Sequence, residues 1–185
     1  MNALSGPLYV VAGVLLVAGI AKVVRPSATA TALRALRVPS PMVATRLLGA
    51  GEIALTGAAF AIGSPVLWAG VALAYAVFTV FILWALRDGD VLGSCGCFGR
   101  EDTPPTPGHA AFNAGAATIA GLAVVDPVRL ADFDGSAFAA VLLVCLVAVG
   151  TAVAIAALTE LPRTLALAKG TAMPAPATFS IRGRS

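Results

Sequence analysis

The sequence predicts an all-α membrane protein, a polytopic bundle of four to five transmembrane helices. Of its 185 residues 59% are hydrophobic and only 11% are charged, whereas a soluble domain has about 25% charged residues. Several apolar runs also reach about 20 residues, the length that a helix needs to cross a hydrocarbon core of about 30 Å. The net charge of +3 does not indicate nucleic-acid binding, because the basic residues are spread between the apolar runs.

The apolar runs lie in one predicted domain, residues 1–158, which a flexible tail follows over residues 159–185. No Lys or Arg precedes the first run, as one would in a signal peptide, so we interpret it as a membrane helix. Trp68 and Trp84 lie near the two ends of the third run and are typical of aromatic anchors at the membrane surface. The predicted spans are 7–24, 42–62, 65–86, 107–125 and 136–158.

Cap residues and prolines mark the ends of these helices. The first span ends before Arg25-Pro26, because proline cannot continue a helix. The Ala-rich segment 27–37 predicts a short helix in the membrane interface, with Ser27 as its cap. Ser64-Pro65 and Thr106-Pro107 each place a cap residue before a proline in the first turn, so they mark the starts of the third and fourth spans.

Glu52 is an acidic residue inside the second predicted span. It lies six residues after Arg46, hence about 9 Å deeper along a helix, where a carboxylate costs about 2.5–3.5 kcal/mol. We therefore expect Glu52 to face other helices and to be paired with Lys22 or Arg46, or protonated. It is either a tie between helices or a proton or substrate site. Close packing of this helix is expected along a row of small residues, Ala50, Ala54 and Ala58.

The polar loop 87–107 joins the third and fourth spans and holds two of the three cysteines. A disulfide between Cys95 and Cys97 would close a very small loop and would stabilise the fold little. Its closure needs a bend, which Gly96 permits, and a strained, exposed disulfide is a labile or catalytic one. We therefore interpret the pair as an exchangeable dithiol. The glycines of this loop near the pair are Gly93, Gly96 and Gly99.

Two other interpretations of the cysteine pair remain open. Cys95 and Cys97 could bind a soft metal together with His109, although a fourth ligand is missing and paired zinc ligands have two or more residues between them. The pair could also form a tight turn with unreactive thiols. His109 and Asn113 are four residues apart and share a helix face. Cys145, within an apolar run, is expected to pack in the core.

The basic residues predict the orientation in the membrane. If there are five spans, all lysines and arginines except Arg129 fall on one side, in the first connection, the cysteine loop and the tail. By the positive-inside rule this side is cytoplasmic. The sequence therefore predicts a multi-pass plasma-membrane protein with its cysteine loop facing the cytoplasm.

The sequence resembles the MauE group of the DoxX-like, redox-associated membrane proteins over about residues 7–158. The motifs that carry the resemblance are Ala18 to Lys22 with Arg25-Pro26, Arg46 to Glu52, and Cys95-Gly-Cys-Phe-Gly99 followed by His109 and Asn113. The resemblance implies a multi-pass helical fold, with a four-helix core usual for the wider group. It also implies a role beside thioredoxin-like partners, such as maturation or disulfide formation of the methylamine dehydrogenase small subunit, which matures outside the cytoplasm.

Our primary hypothesis is a thiol redox protein that exchanges electrons with a thioredoxin-like partner through Cys95 and Cys97. Glu52, Lys22 and His109 would assist by promoting thiolate formation or by moving protons. The alternatives are a small transporter centred on Glu52 and an assembly factor without turnover. No cofactor is predicted, but electron relay across the membrane would need a quinone or another protein, because no second dithiol remains. A homo- or hetero-oligomer is open.

Overall fold

The computed structural model describes residues 5–87, 105–128 and 135–168, and within these ranges the regular structure is entirely helical. The helices are α1 Ser5–Val24, α2 Ser27–Ala35, α3 Pro41–Ile62, α4 Pro65–Arg87, α5 Pro107–Val125 and α6 Ala137–Ala168. Helices are the expected form of a chain in lipid, because they satisfy their backbone hydrogen bonds within one segment.

Five of the described helices, all except α2, are long and apolar enough to cross a membrane. This confirms the polytopic helical bundle. The span of α6 is Ala137–Glu160, but the helix itself continues to Ala168, ten residues beyond the predicted end. Its Ala- and Leu-rich sequence has a high helix propensity. Ser27 is the first residue of α2 rather than its cap, since the preceding Pro26 holds the cap position.

Helix α1 lies at the centre of the bundle and contacts α3, α5 and α6. Half of its membrane-spanning stretch is buried inside the protein, the highest share among the described spans. Its apolar side chains pack in one core with residues of α4 and α5, and the Tyr75 hydroxyl of α4 donates a hydrogen bond to the Val11 carbonyl at 2.6 Å. The α1 members of this core are Leu8, Val11, Ala12 and Leu15.

Helices α4 and α5 pack against one another through a row of alanines on α5, Ala116, Ala120 and Ala123. Trp68 of α4 is fully buried in this core. Its indole N–H donates to the Val128 carbonyl at 3.2 Å, and its ring meets Phe60 edge-on at 6.2 Å. The expectation of a surface anchor at Trp68 is therefore wrong. A tryptophan near the end of a span can also be buried, because its indole needs only one polar partner, and here the chain that follows α5 supplies it.

Helix α6 packs against α1 along a narrow strip and is otherwise exposed, with 6% of its span buried. The Thr151 side chain packs over Gly13 of α1, and the Val10 side chain packs over Gly150 of α6. Cys145 lies on the exposed surface of α6, so the expectation that it packs in the core is wrong. A helix that is apolar all round does not show from its sequence which side faces lipid.

Helices α1 and α3 touch through bare backbone at Gly19 and Gly49. A β-carbon at Gly19 would lie 2.8 Å from the Gly49 carbonyl oxygen, and one at Gly49 would lie 2.6 Å from the Gly19 carbonyl oxygen. The packed face of α3 is therefore the one that carries Gly49, and its other buried residues are Thr45, Glu52, Thr56 and Ala59. The predicted alanine row is wrong, because Ala50 and Ala54 are exposed.

We expect Gly49→Ala to destabilise the protein by about 1–3 kcal/mol, because the added methyl group must push the two helices apart. Thermal unfolding in detergent micelles measures this loss. Gly51→Ala is the matched control, since a β-carbon there meets nothing within 4 Å. Equal stability of the two variants would show that the helices do not touch at Gly49.

Candidate functional site

The cysteine loop attaches at the end of the bundle where α4 ends and α5 begins. Cys95, Cys97 and the glycines Gly93, Gly96 and Gly99 lie in 88–104, outside the described residues. The described chain ends at Arg87 and resumes at Pro105. Lys22 lies near the last residue of α1, and His109 near the first residue of α5. Lys22 and His109 therefore lie at the same end of the bundle as the attachment of the cysteine loop.

Lys22 and Glu52 form a buried ion pair between α1 and α3. The ammonium nitrogen Nζ lies 2.8 Å from the carboxylate oxygen Oε2, and the two side chains are 4% and 3% exposed. Arg46, the other candidate partner, is exposed. Six residues correspond to a rotation of about 240° around a helix, so Arg46 and Glu52 lie on different faces of α3. Pairing removes the cost of an isolated charge in a low-dielectric interior.

The two glycines make room for this ion pair. A β-carbon on Gly19 would lie 3.0 Å from Cβ of Glu52, and one on Gly49 would lie 2.9 Å from Cβ of Lys22. Each charged side chain therefore starts over the glycine of the opposite helix, and the two side chains run toward each other. The spacing of three residues, from Gly19 to Lys22 and from Gly49 to Glu52, places glycine and charge on one helix face.

Neighbouring groups complete the surroundings of the pair on the α4 side. Lys22 Nζ lies 5.1 Å from the centroid of the Phe78 ring, which is within cation–π range. Glu52 Oε1 is buried and has no hydrogen-bond partner in the described part of the chain. Glu52 also lines a crevice of about 290 Å³ between α3 and α4, together with Leu48, Gly70, Leu73, Ala74, Val77 and Phe78.

His109 is held in place by the start of α5. Thr106 caps the helix, as the sequence predicted, by accepting a hydrogen bond from the backbone N–H of His109 at 3.3 Å. The Thr106 hydroxyl is also 2.7 Å from His109 Nδ1. Asn113 donates to the His109 carbonyl at 2.7 Å, so the two residues share a face as expected. The remaining ring nitrogen, Nε2, is buried and has no partner among the described residues.

A small cavity brings Lys22, His109 and Asn113 together with Tyr75. Its volume is about 30 Å³, and its remaining wall is apolar: Val14, Leu15, Ala18, Phe78, Phe112 and Leu158. Of the predicted polar residues, the structure thus clusters Lys22, Glu52, His109 and Asn113 and leaves Arg46 outside. Sequence reasoning missed Tyr75. A tyrosine within an apolar span is a usable signal, because its buried hydroxyl needs a partner.

The described residues contain no group of three or more His, Cys, Asp and Glu side chains that could hold a metal ion. The alternative site formed by Cys95, Cys97 and His109 falls partly in the loop outside the described residues. His109 Nε2 is the one atom of that set that the structure describes as buried without a partner.

We expect Glu52→Gln and Lys22→Met each to lower stability by about 3–5 kcal/mol, because each leaves the partner charge buried and uncompensated. The double variant Lys22→Met/Glu52→Gln should recover most of that loss. Unfolding midpoints in detergent measure the coupling, and Arg46→Met, at an exposed position, is the control. Strictly additive losses would contradict a direct pair.

No curated protein and no solved structure matches the chain. A family model described as methylamine utilisation protein MauE matches residues 2–126, a stretch that contains α1 to α5, the cysteine loop and the polar cluster. The matched stretch holds four of the five described helices that are long and apolar enough to cross a membrane, and α6 lies beyond it. The chain is therefore a multi-pass membrane protein that belongs to the MauE family.

Proposed function

We propose that this protein is a membrane-bound thiol redox protein that exchanges a disulfide with a thioredoxin-like partner through Cys95 and Cys97. The observation that carries the proposal is the position of the cysteine pair in the chain. It belongs to the loop between Arg87 and Pro105, at the end of the bundle where Lys22, Glu52 and His109 form a buried polar cluster. Clusters of buried ionisable groups are candidates for functional sites.

The exchange proceeds through two sulfur-to-sulfur displacements. A thiolate of the cysteine pair attacks the partner disulfide, a mixed disulfide forms, and one partner sulfur leaves as a thiolate. The second cysteine then attacks the mixed disulfide, which yields the Cys95–Cys97 disulfide and a reduced partner. Two electrons and two protons pass to the partner. The reverse sequence oxidises the partner, and a strained small-loop disulfide favours that direction.

The biological context comes from family membership and the resemblance. The family name links this protein to methylamine utilisation, and the proposed role is maturation or disulfide formation of a partner such as methylamine dehydrogenase. Since the methylamine dehydrogenase small subunit matures outside the cytoplasm, this role requires a cysteine loop that faces outward, and a cytoplasmic loop would serve another partner. We further propose the plasma membrane as its location.

Burial of Glu52 favours the redox proposal over a transporter centred on that residue. Its carboxylate is 2.8 Å from a lysine that already compensates its charge, and the helices that carry the two residues touch backbone to backbone. A transport site needs a carboxylate that can release one partner for another. The ion pair instead has the features of a tie between α1 and α3.

We expect the Cys95–Cys97 pair to interconvert reversibly between dithiol and disulfide in glutathione redox buffers, with a midpoint above about −300 mV, since stable structural disulfides lie below that value. Thiol counting by alkylation and mass measurement follows the transition. Cys95→Ser and Cys97→Ser should each abolish it. Cys145→Ser, on the exposed surface of α6, is the control and should leave it intact. A pair that stays entirely reduced across the buffer range would refute the proposal.

The side of the membrane follows from charge, and we propose that the cysteine loop is cytoplasmic. With five spans, the first connection, the loop 88–104 and the end of α6 share one side, and that side carries every basic residue except Arg129. A cytoplasmic loop requires a partner that is reached from the cytoplasm. The positive-inside rule is the physical support.

A membrane-impermeant maleimide should therefore fail to label Cys95 and Cys97 in intact cells that carry Cys145→Ser, and should label them after lysis. The control is Ser136→Cys in a chain without the three native cysteines, because Ser136 is exposed at the opposite end of the bundle. That variant should react in intact cells. Labelling of the loop before lysis would place it outside and would make a periplasmic or extracellular partner the direct one.

A further inference from the structure

The cavity between α1, α4, α5 and α6 contains two polar groups with unused hydrogen-bonding capacity. His109 is 1% exposed, and its Nε2 has no partner among the described residues. Lys22 has three N–H donors. In the described structure its ammonium makes one hydrogen bond, to Glu52, and one cation–π contact, with Phe78. Both residues line the same cavity.

The size and walls of the cavity select the ligand. A volume of about 30 Å³ accommodates water, because a site needs roughly 10–15 Å³ and two to four polar partners for each water molecule. Leu15, Phe112 and Leu158 close the space with apolar surface and exclude anything larger. An empty cavity would leave a histidine nitrogen and at least one ammonium proton without a hydrogen-bond partner, which is unfavourable for buried polar groups.

We propose that this cavity holds water that joins Lys22 Nζ to His109 Nε2, so that Glu52, Lys22, the water and His109 form one proton-transfer chain. The chain begins at the buried ion pair and ends four residues beyond Pro105, where the cysteine loop rejoins the described structure. The existence of the chain depends only on the cavity. Its purpose, proton exchange with the cysteine pair, rests on the proposed function.

The proton steps balance within one round of exchange. In each of the two displacements the attacking cysteine loses its thiol proton: its S–H bond breaks and an N–H bond forms on neutral His109. The water takes the excess proton from the imidazolium, and Lys22 takes one proton from the water as it gives one to the Glu52 carboxylate, so the proton is shared along the chain. That proton then passes to the partner thiolate that leaves in the same displacement, so that His109 returns to its neutral form and two protons reach the partner over the round. Two electrons move from the dithiol to the partner disulfide, and the chain itself is neither oxidised nor reduced.

The helices around His109 present a small set of titratable groups in the described part of the chain. Lys22 lines the cavity from α1, and Glu52 of α3 is bound to Lys22. Tyr75 of α4 also lines it, but its hydroxyl donates to the Val11 carbonyl. On α6, Leu158 supplies the wall and Glu160 is exposed. The Lys22–Glu52 pair is therefore the buried charge that can share a proton with His109.

The chain has one histidine, so ring signals from a histidine-labelled sample in liposomes belong to His109 alone. Proton-detected solid-state NMR should show magnetisation transfer from water to the His109 ring in the wild-type protein. Leu158→Phe fills the cavity and should reduce that transfer at least several-fold. Leu146→Phe makes the same substitution at a position that is 61% exposed and should leave the transfer unchanged. Absence of transfer in the wild-type protein overturns the proposal even if Leu158→Phe fails to fold.

A second measurement tests the purpose of the chain. His109→Gln and Leu158→Phe should each slow alkylation of the reduced cysteine pair about tenfold at neutral pH, which corresponds to a shift of the rate profile by one pH unit. Leu146→Phe should keep the wild-type profile. Water at His109 together with an unchanged profile in both variants overturns the proton-transfer role. The glutathione titration of the wild-type protein tests disulfide exchange separately, so the two proposals fail independently.

Discussion

The contact between α1 and α3 at Gly19 and Gly49 is the constraint on which the polar interior of this protein depends. The helices approach so closely that a β-carbon at either glycine would meet the opposite backbone. At this separation Lys22 and Glu52 meet at 2.8 Å with both side chains buried. Lipid offers no water to solvate a separated pair. The glycines and the ion pair therefore stabilise the same arrangement. The glycines allow the two helices to approach closely, and the attraction between Lys22 and Glu52 holds them together.

The ion pair is linked by further contacts to α4 and α5. Lys22 reaches past Glu52 to the Phe78 ring of α4, and beyond it lies the cavity that His109 and Asn113 close from α5. The polar groups thus collect at the end of the bundle where the cysteine loop attaches. The opposite end is closed differently, by Trp68 bound to the Val128 carbonyl and packed on Phe60. One end of the bundle is therefore closed by aromatic packing, and the other holds the buried ionisable groups.

The family match and the packing divide the chain in the same way. The match stops at residue 126, after the four spans that carry the ion pair, His109 and the cysteine loop. Helix α6 lies outside it, is mostly exposed, and contributes Leu158 to the wall of the cavity. A helix with so little buried surface can seal a site without setting the geometry of its polar groups.

The sequence by itself determined the membrane class, the spans and the Thr106 cap, because hydropathy, length and capping are local properties of a segment. It also required a partner for Glu52, since a lone carboxylate is costly at that depth. Only the tertiary structure decided that the partner is Lys22 rather than Arg46, that α3 packs through Gly49 rather than through Ala50 and Ala54, that Trp68 is buried, and that Cys145 is exposed. These choices depend on the rotation of each helix about its axis. In a membrane both the core and the surroundings are apolar, so hydropathy does not encode that rotation. For α1 and α3 the fit of two glycines and one ion pair sets it instead.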